Sequence, residues 1–257
     1  MKKLFFCFSA FLLFCLLPQT SFAQKCSSSS ASCENKKLHI GVSVGPTVDW
    51  FSSTSKDFSR KNVKGGMIAG VNLDINLPVV KMFYFTTGLF VRYLQADMEY
   101  MKEHDFSGIL PDTAHMLKAR TITTFQTTYL TIPTGLKIRT TPIKNCVFVG
   151  KLGLYHNFKI GGKQFDSFKL ENTIPDKFLV STPKIANDAA AIFAESAYLG
   201  LGFEYGLKSN LRIFVNVDYS CQFNYFSTKN STAKNNITKD RFKSVVHSLQ
   251  LALGVLF

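Results

Sequence analysis

The chain has 257 residues, 46% of them hydrophobic and 14% aromatic, with a formal charge of +13. Its mean hydropathy is +0.08, which is greasy for an exported soluble protein. The basic balance comes without any nucleic-acid-binding motif, so nucleic acid is set aside as a partner, and anionic head groups or surface polysaccharide fit the charge better.

Residues 1–23 carry Lys2 and Lys3, an apolar run from Leu4 to Leu17, Pro18, and the small-x-small site Ser21-Phe22-Ala23. That is the pattern of a secretory signal peptide cut after Ala23. The run is too short for a membrane anchor. Cys15 lies within it and Cys26 beyond the cut, so neither serves a lipoprotein site. Loss of Lys2 and Lys3 takes the charge from +13 to +11. Residues 24–37 form a polar, Ser-rich lead-in, expected to be a flexible periplasmic segment. Within it Cys26 and Cys33 flank CSSSSASC and could pair in an oxidising compartment. Cys146 and Cys221 fall in separate strands and are not paired. No CxxC or Cys/His spacing occurs, so neither a metal nor another cofactor is expected.

Beyond the leader no run of about 20 apolar residues remains, and alternation takes over. Strands are predicted at 38–44, 67–77, 83–93, 127–140, 147–160, 197–207, 211–225 and 244–257. Short turns lie around Pro78, at 142–145 and at 208–210. Longer loops are expected at 52–64, 102–121, 161–192 and 227–243. In the last strand Val245, His247, Leu249, Leu251, Leu253, Val255 and Phe257 share one face, and mostly small or polar residues share the other. The same split runs through the other seven.

The opposite face decides what the greasy face meets. It carries Asp74, Arg92, Lys137, Arg139, Lys151, Glu204, Arg212 and Asp218, interleaved with Gly88, Gly135, Gly153, Gly200 and Gly202. That mixture makes a poor soluble surface and a good barrel lumen, where small residues fit the crowding and opposite charges pair. The outward aromatics sort into two bands. Phe83, Phe85, Phe148, Tyr205 and Phe257 lie near the short turns, and Tyr93, Phe158, Tyr219, Phe223 and Tyr225 near the long loops. Two aromatic girdles suit the two interfaces of a membrane. The expected fold is all-β: an eight-stranded antiparallel transmembrane β-barrel over 38–257, with short periplasmic turns and long extracellular loops. The last strand would pair with residues 38–44 and abolish the sheet edge.

Several segments together resemble the PorT-like outer-membrane β-barrel family of Bacteroidetes-type bacteria. They are IGVSVGPTVDWFS, GGMIAGVNLDINL, FTTGLFVRY, TYLTIPTGLKIRT, AYLGLGFEYGL, LRIFVNVDYSCQFNYFS and the Phe-terminated final strand. Thr131 stands where that family usually has Glu. The resemblance implies an outer-membrane location and an eight-stranded barrel without fixing one function, although the named member serves secretion of surface proteins. It also implies that Phe257 and its strand are read by the outer-membrane assembly machinery.

For hydrolytic chemistry a Ser/His pair must share one face. His247 and Ser248 are adjacent and so oppose each other, His156 points outward with no Ser on its own strand face, and His104 and His115 sit in a loop. No catalytic residues are therefore assigned and the chain is read as non-enzymatic. Eight strands leave a lumen just wide enough for side chains. Arg92, Lys137, Arg139, Lys151, Tyr155 and Arg212 would fill it, so a plugged, salt-bridged interior is expected. The leading expectation is an integral outer-membrane protein with a structural or interaction role, an accessory to surface-protein secretion. A narrow porin-like channel and a soluble periplasmic ligand-binding barrel are the alternatives. Partners would be outer-membrane lipid and lipopolysaccharide, or a protein met through the extracellular loops. Lys102, Lys118, Arg120, Lys163, Lys169, Lys177 and Lys184 would form a basic rim there, diluted by Glu103, Asp105 and Asp176. Asp112-Thr113-Ala114 resembles a short O-glycosylation signal of such bacteria.

Overall fold

The computed structural model describes residues 38–53, 58–60, 62–78, 82–105, 116–170, 178–180, 184–185, 190–207, 211–226 and 244–257. The expected leader, the expected lead-in with Cys26 and Cys33, and Asp112-Thr113-Ala114 lie outside them. Eight long strands follow one another: β1 (Leu38–Ser53), β2 (Lys64–Asn76), β3 (Phe83–Asp105), β4 (Met116–Arg139), β5 (Cys146–Leu170), β6 (Phe193–Gly206), β7 (Arg212–Gln222) and β8 (Ser244–Leu256).

Each strand pairs antiparallel with the next, and β8 returns to β1 in a register from Gly41↔Leu256 to Ser53↔Ser244. The sheet is thus a closed eight-stranded barrel with no free edge in its wall. Among the described residues no helix is long and apolar enough to cross a membrane, and a barrel crosses with strands instead.

Side chains alternate across this wall in the opposite sense to a soluble barrel. Leu201 is 69% exposed, whereas Glu204 is 1% exposed. Val44, Val71, Leu89, Leu154, Val217 and Leu251 face outward, while Asp49, Asp74, Arg92, Lys137 and Asp218 are buried inside. Period-2 patterning makes this possible, because a one-residue slip would exchange the two faces.

Strand lengths depart from the sequence reading. Of the loop expected at 102–121, residues 102–105 and 116–121 are strand, since β3 and β4 stay paired up to Asp105↔Met116. The loop expected at 161–192 begins as strand, since β5 runs on to Leu170. Short strands Phe178–Val180 and Lys184–Ile185 then pair with the far half of β5. Within the loop expected at 52–64, Phe58–Arg60 pairs with the far half of β3. The reason is environmental. Once the sheet leaves the apolar layer neither face needs to be greasy, so alternation fades while β-branched residues such as Thr121, Thr123, Thr124, Thr127 and Thr128 still favour strand. A bulge marks the transition: Thr128 pairs with Gly161 and Tyr129 with Lys159, leaving Ile160 unmatched. The strand expected at 211–225 is shorter than its alternation suggests, running from Arg212 to Gln222.

The β1–β8 seam is tight. A side chain at Gly45 would collide with the backbone of Leu251, and the ladder skips Gly45 and Pro46 between Val44↔Leu253 and Thr47↔Gln250. Outward-facing Gly150 has nothing near a would-be Cβ. Gly45→Val should therefore weaken barrel closure and Gly150→Val should not. Heat-modifiable gel mobility after refolding checks this, and equal heat resistance of both variants would contradict a close-packed seam.

Candidate functional site

The lumen is filled in tiers. Nearest the short turns, Asp74 of β2, Lys137 and Arg139 of β4, Glu204 of β6 and Arg212 of β7 converge. The Lys137 ammonium lies 2.5 Å from Asp74 and 2.7 Å from Glu204. The Arg139 guanidinium lies 3.0 Å from Glu204 and 3.5 Å from Asp74, and packs 4.2 Å above the Tyr84 ring. Arg212 reaches the other Glu204 oxygen at 3.5 Å, and the Thr86 hydroxyl donates to Asp74 at 2.7 Å. At mid-height Lys151 pairs with Asp218 at 2.9 Å beside the stacked rings of Tyr155 and Tyr198, 4.3 Å apart. The gap beside them is about 30 Å³, room for a water. Higher still, Asp49 accepts from Arg92 at 2.9 Å, from Thr47 at 2.9 Å and from Ser248.

An apolar plug closes the far end. Phe51, Phe125 and Phe226 meet edge to face with centroids 4.9–5.8 Å apart, and Leu94, Met98, Val246 and Ala190 pack around them. Residues 190–192 and 223–226 are tied across this mouth: Ala191 donates to the Phe226 carbonyl, Phe226 to Ser244, and the Lys159 ammonium to Ala190. Above the plug, burial pushes the Tyr100 phenol up to about 12, and it accepts from Thr123 at 3.3 Å.

All eight charged residues assigned to the lumen point inward, in three separate groups. Arg92 meets Asp49, which the sequence reading passed over by ending the first strand at Val44. Alternation through Gly45, Thr47 and Asp49 against Val48 and Trp50 was the available signal. All ten aromatics assigned to the interfaces lie on the outward face, with Phe83 half-buried. Cys146 and Cys221 are free. Of the basic-rim residues whose side chains are described, Arg120 pairs with Glu99 at 3.1 Å and Lys163 is exposed.

Among the described residues, two hydrogen-bonded groups centred on histidines interrupt the outward face. Tyr219 and His247 hydrogen-bond at 2.7 Å, with the imidazole stacked on Trp50. The second group centres on His156. The Thr134 hydroxyl of β4 lies 2.9 Å from its Nε2, and the Glu195 carboxylate of β6 lies 3.3 Å from its Nδ1. His156 is stacked on Phe193. Neither partner lies on the strand of His156: both come from the neighbouring strands through register, which alternation along one strand does not encode.

Removing one member of a buried ion cluster strands the others uncompensated, at about 3–5 kcal/mol. Glu204→Ala should lower the unfolding free energy of the refolded barrel by that order in a urea titration. A change below about 1 kcal/mol would mean that Arg139 and Lys137 find other partners.

Solved structures with 96–99% of their length covered include three outer-membrane barrels, each aligned over 86% of this chain. They are the attachment invasion locus protein Ail of Yersinia pestis (13% identity, TM-score 0.35), Neisserial surface protein A (11%, 0.39) and OprG of Pseudomonas aeruginosa (12%, 0.32). No curated protein matches the chain in sequence. The family model for the outer membrane protein β-barrel domain matches residues 22–226, and the chain belongs to that family of outer-membrane β-barrels.

Proposed function

We propose that this barrel works by contact at its surfaces and not by passing solutes through its lumen. The carrying observation is the filled interior: three tiers of paired charges, stacked tyrosines at mid-height and an apolar plug across the far mouth. A pore needs a continuous aqueous path, and an eight-stranded barrel filled in this way offers gaps of single-water size. Residues 1–23, read as an export leader, fit insertion from the periplasmic side.

The prolonged β3–β4–β5 sheet supports a partner met outside the cell, because loops and extensions on a rigid barrel carry its contacts. The PorT-like pattern of the strand motifs favours a protein of the surface-secretion apparatus as that partner. The outward Trp50, Tyr219 and His247 suit lipopolysaccharide at the membrane boundary.

Planar-bilayer recording of the refolded protein should give no steady openings. Steady wild-type conductance would refute the contact reading and favour a narrow channel. Pull-down from detergent-solubilised outer membrane should bring down a surface-protein-secretion component.

A further inference from the structure

The Thr134–His156–Glu195 group has a geometry that the contact reading leaves unused. A hydroxyl, an imidazole and a carboxylate stand in hydrogen-bonded series, drawn from β4, β5 and β6. With Nδ1–H donated to Glu195, Nε2 is left to accept the Thr134 proton. That is the arrangement of an activated nucleophile, its general base and a group orienting the base. Its location adds chemistry. Ionisable side chains on a membrane-facing wall are costly and tend to mark function. The Glu195 carbonyl accepts from the amide of Phe223, which sets the group level with the aromatic band on the long-loop side. There a bilayer's polar heads meet its acyl chains. Exposed Leu154, Phe158, Phe193 and Leu199 flank it and offer an apolar bed for a chain.

We propose that Thr134, His156 and Glu195 form a site for hydrolysis of ester-linked acyl chains of outer-leaflet lipid. Thr134 Oγ1 attacks the acyl carbonyl while His156 Nε2 takes the hydroxyl proton. The bond from the carbonyl carbon to the lipid's alcohol oxygen breaks, and His156 returns the proton to that oxygen. Water then attacks the acyl-threonine with His156 again as base, releasing a fatty acid and restoring the Thr134 hydroxyl. The balance is ester plus water to acid plus alcohol, with no other reactant. Glu195 is a positioning residue that holds the imidazole tautomer. The inference depends on the outer-membrane placement alone, and a conducting lumen would leave it standing.

Two lipid classes present this chemistry: glycerophospholipid and acylated lipopolysaccharide. Full-length protein, refolded in detergent and checked for the heat-resistant folded band, is incubated with each separately, and free fatty acid is read by mass spectrometry. Release from one arm identifies the source. Thr134→Val should abolish release and Thr134→Ser should retain it. His156→Asn should lower the rate about 100-fold or more, the scale of a lost general base. Glu195→Gln should lower kcat without raising KM. A long-chain fluorophosphonate should add covalently to Thr134 in the wild type. The proposal is overturned if the folded wild-type barrel releases fatty acid from neither lipid, or if release persists in Thr134→Val.

Discussion

Hydrocarbon offers no hydrogen bonds, so every backbone amide and carbonyl inside a bilayer must find its partner in the protein. For a chain that crosses with strands, one solution remains: the last strand must pair with the first. Here β8 meets β1 along almost the whole of both strands, and the Phe257 amide continues the seam to the Ile40 carbonyl. Closure fixes which way every side chain points. Gly45 marks how narrow the fit is, since Leu251 lies where its side chain would be.

The closed wall sets the electrostatics. An apolar exterior leaves most charged residues of the eight strands to one narrow interior, where unpaired charge is expensive. The interior answers with compensation at each level. Asp74 and Glu204 share Lys137 and Arg139 near the short turns, Asp218 takes Lys151 at mid-height, and Asp49 takes Arg92 above. Small residues make room for this. Gly200 lies against the Asp218 carboxylate, and Gly202 against the Asn216 amide. The apolar plug completes the seal with side chains from β1, β3, β4 and β8 and from the segments after β5 and β7.

Outside the wall the balance reverses. Most of the outward face needs only to match lipid, as single large apolar residues do. The polar exceptions therefore stand out as His156 with Thr134 and Glu195, and His247 with Tyr219 and Trp50. Hydrogen bonds within each group lower the cost of placing it at a lipid boundary. Beyond the apolar layer β3, β4 and β5 continue as one sheet, bordered by Phe58–Arg60 and Phe178–Val180, so the projecting edges carry short covering strands.

The sequence by itself determined the number of spans, their antiparallel order and the face of each residue within the expected strands, because strand alternation is local and the two environments differ sharply in polarity. Val245 to Phe257 carried that signal without help from anything distant. Where polarity stops differing, the signal stops as well, and residues 102–105 of β3, 116–121 of β4 and 161–170 of β5 fall in expected loops. Pairing was decided only by the tertiary structure. Charge type at 92, 151 and 218 announced ion pairs, yet the choice of Asp49 for Arg92 and of Asp218 for Lys151 came from register and shear around the barrel. The same holds for Thr134, His156 and Glu195. They stand 22 and 39 residues apart along the chain, and only the stagger of three adjacent strands brings their side chains within hydrogen-bonding distance.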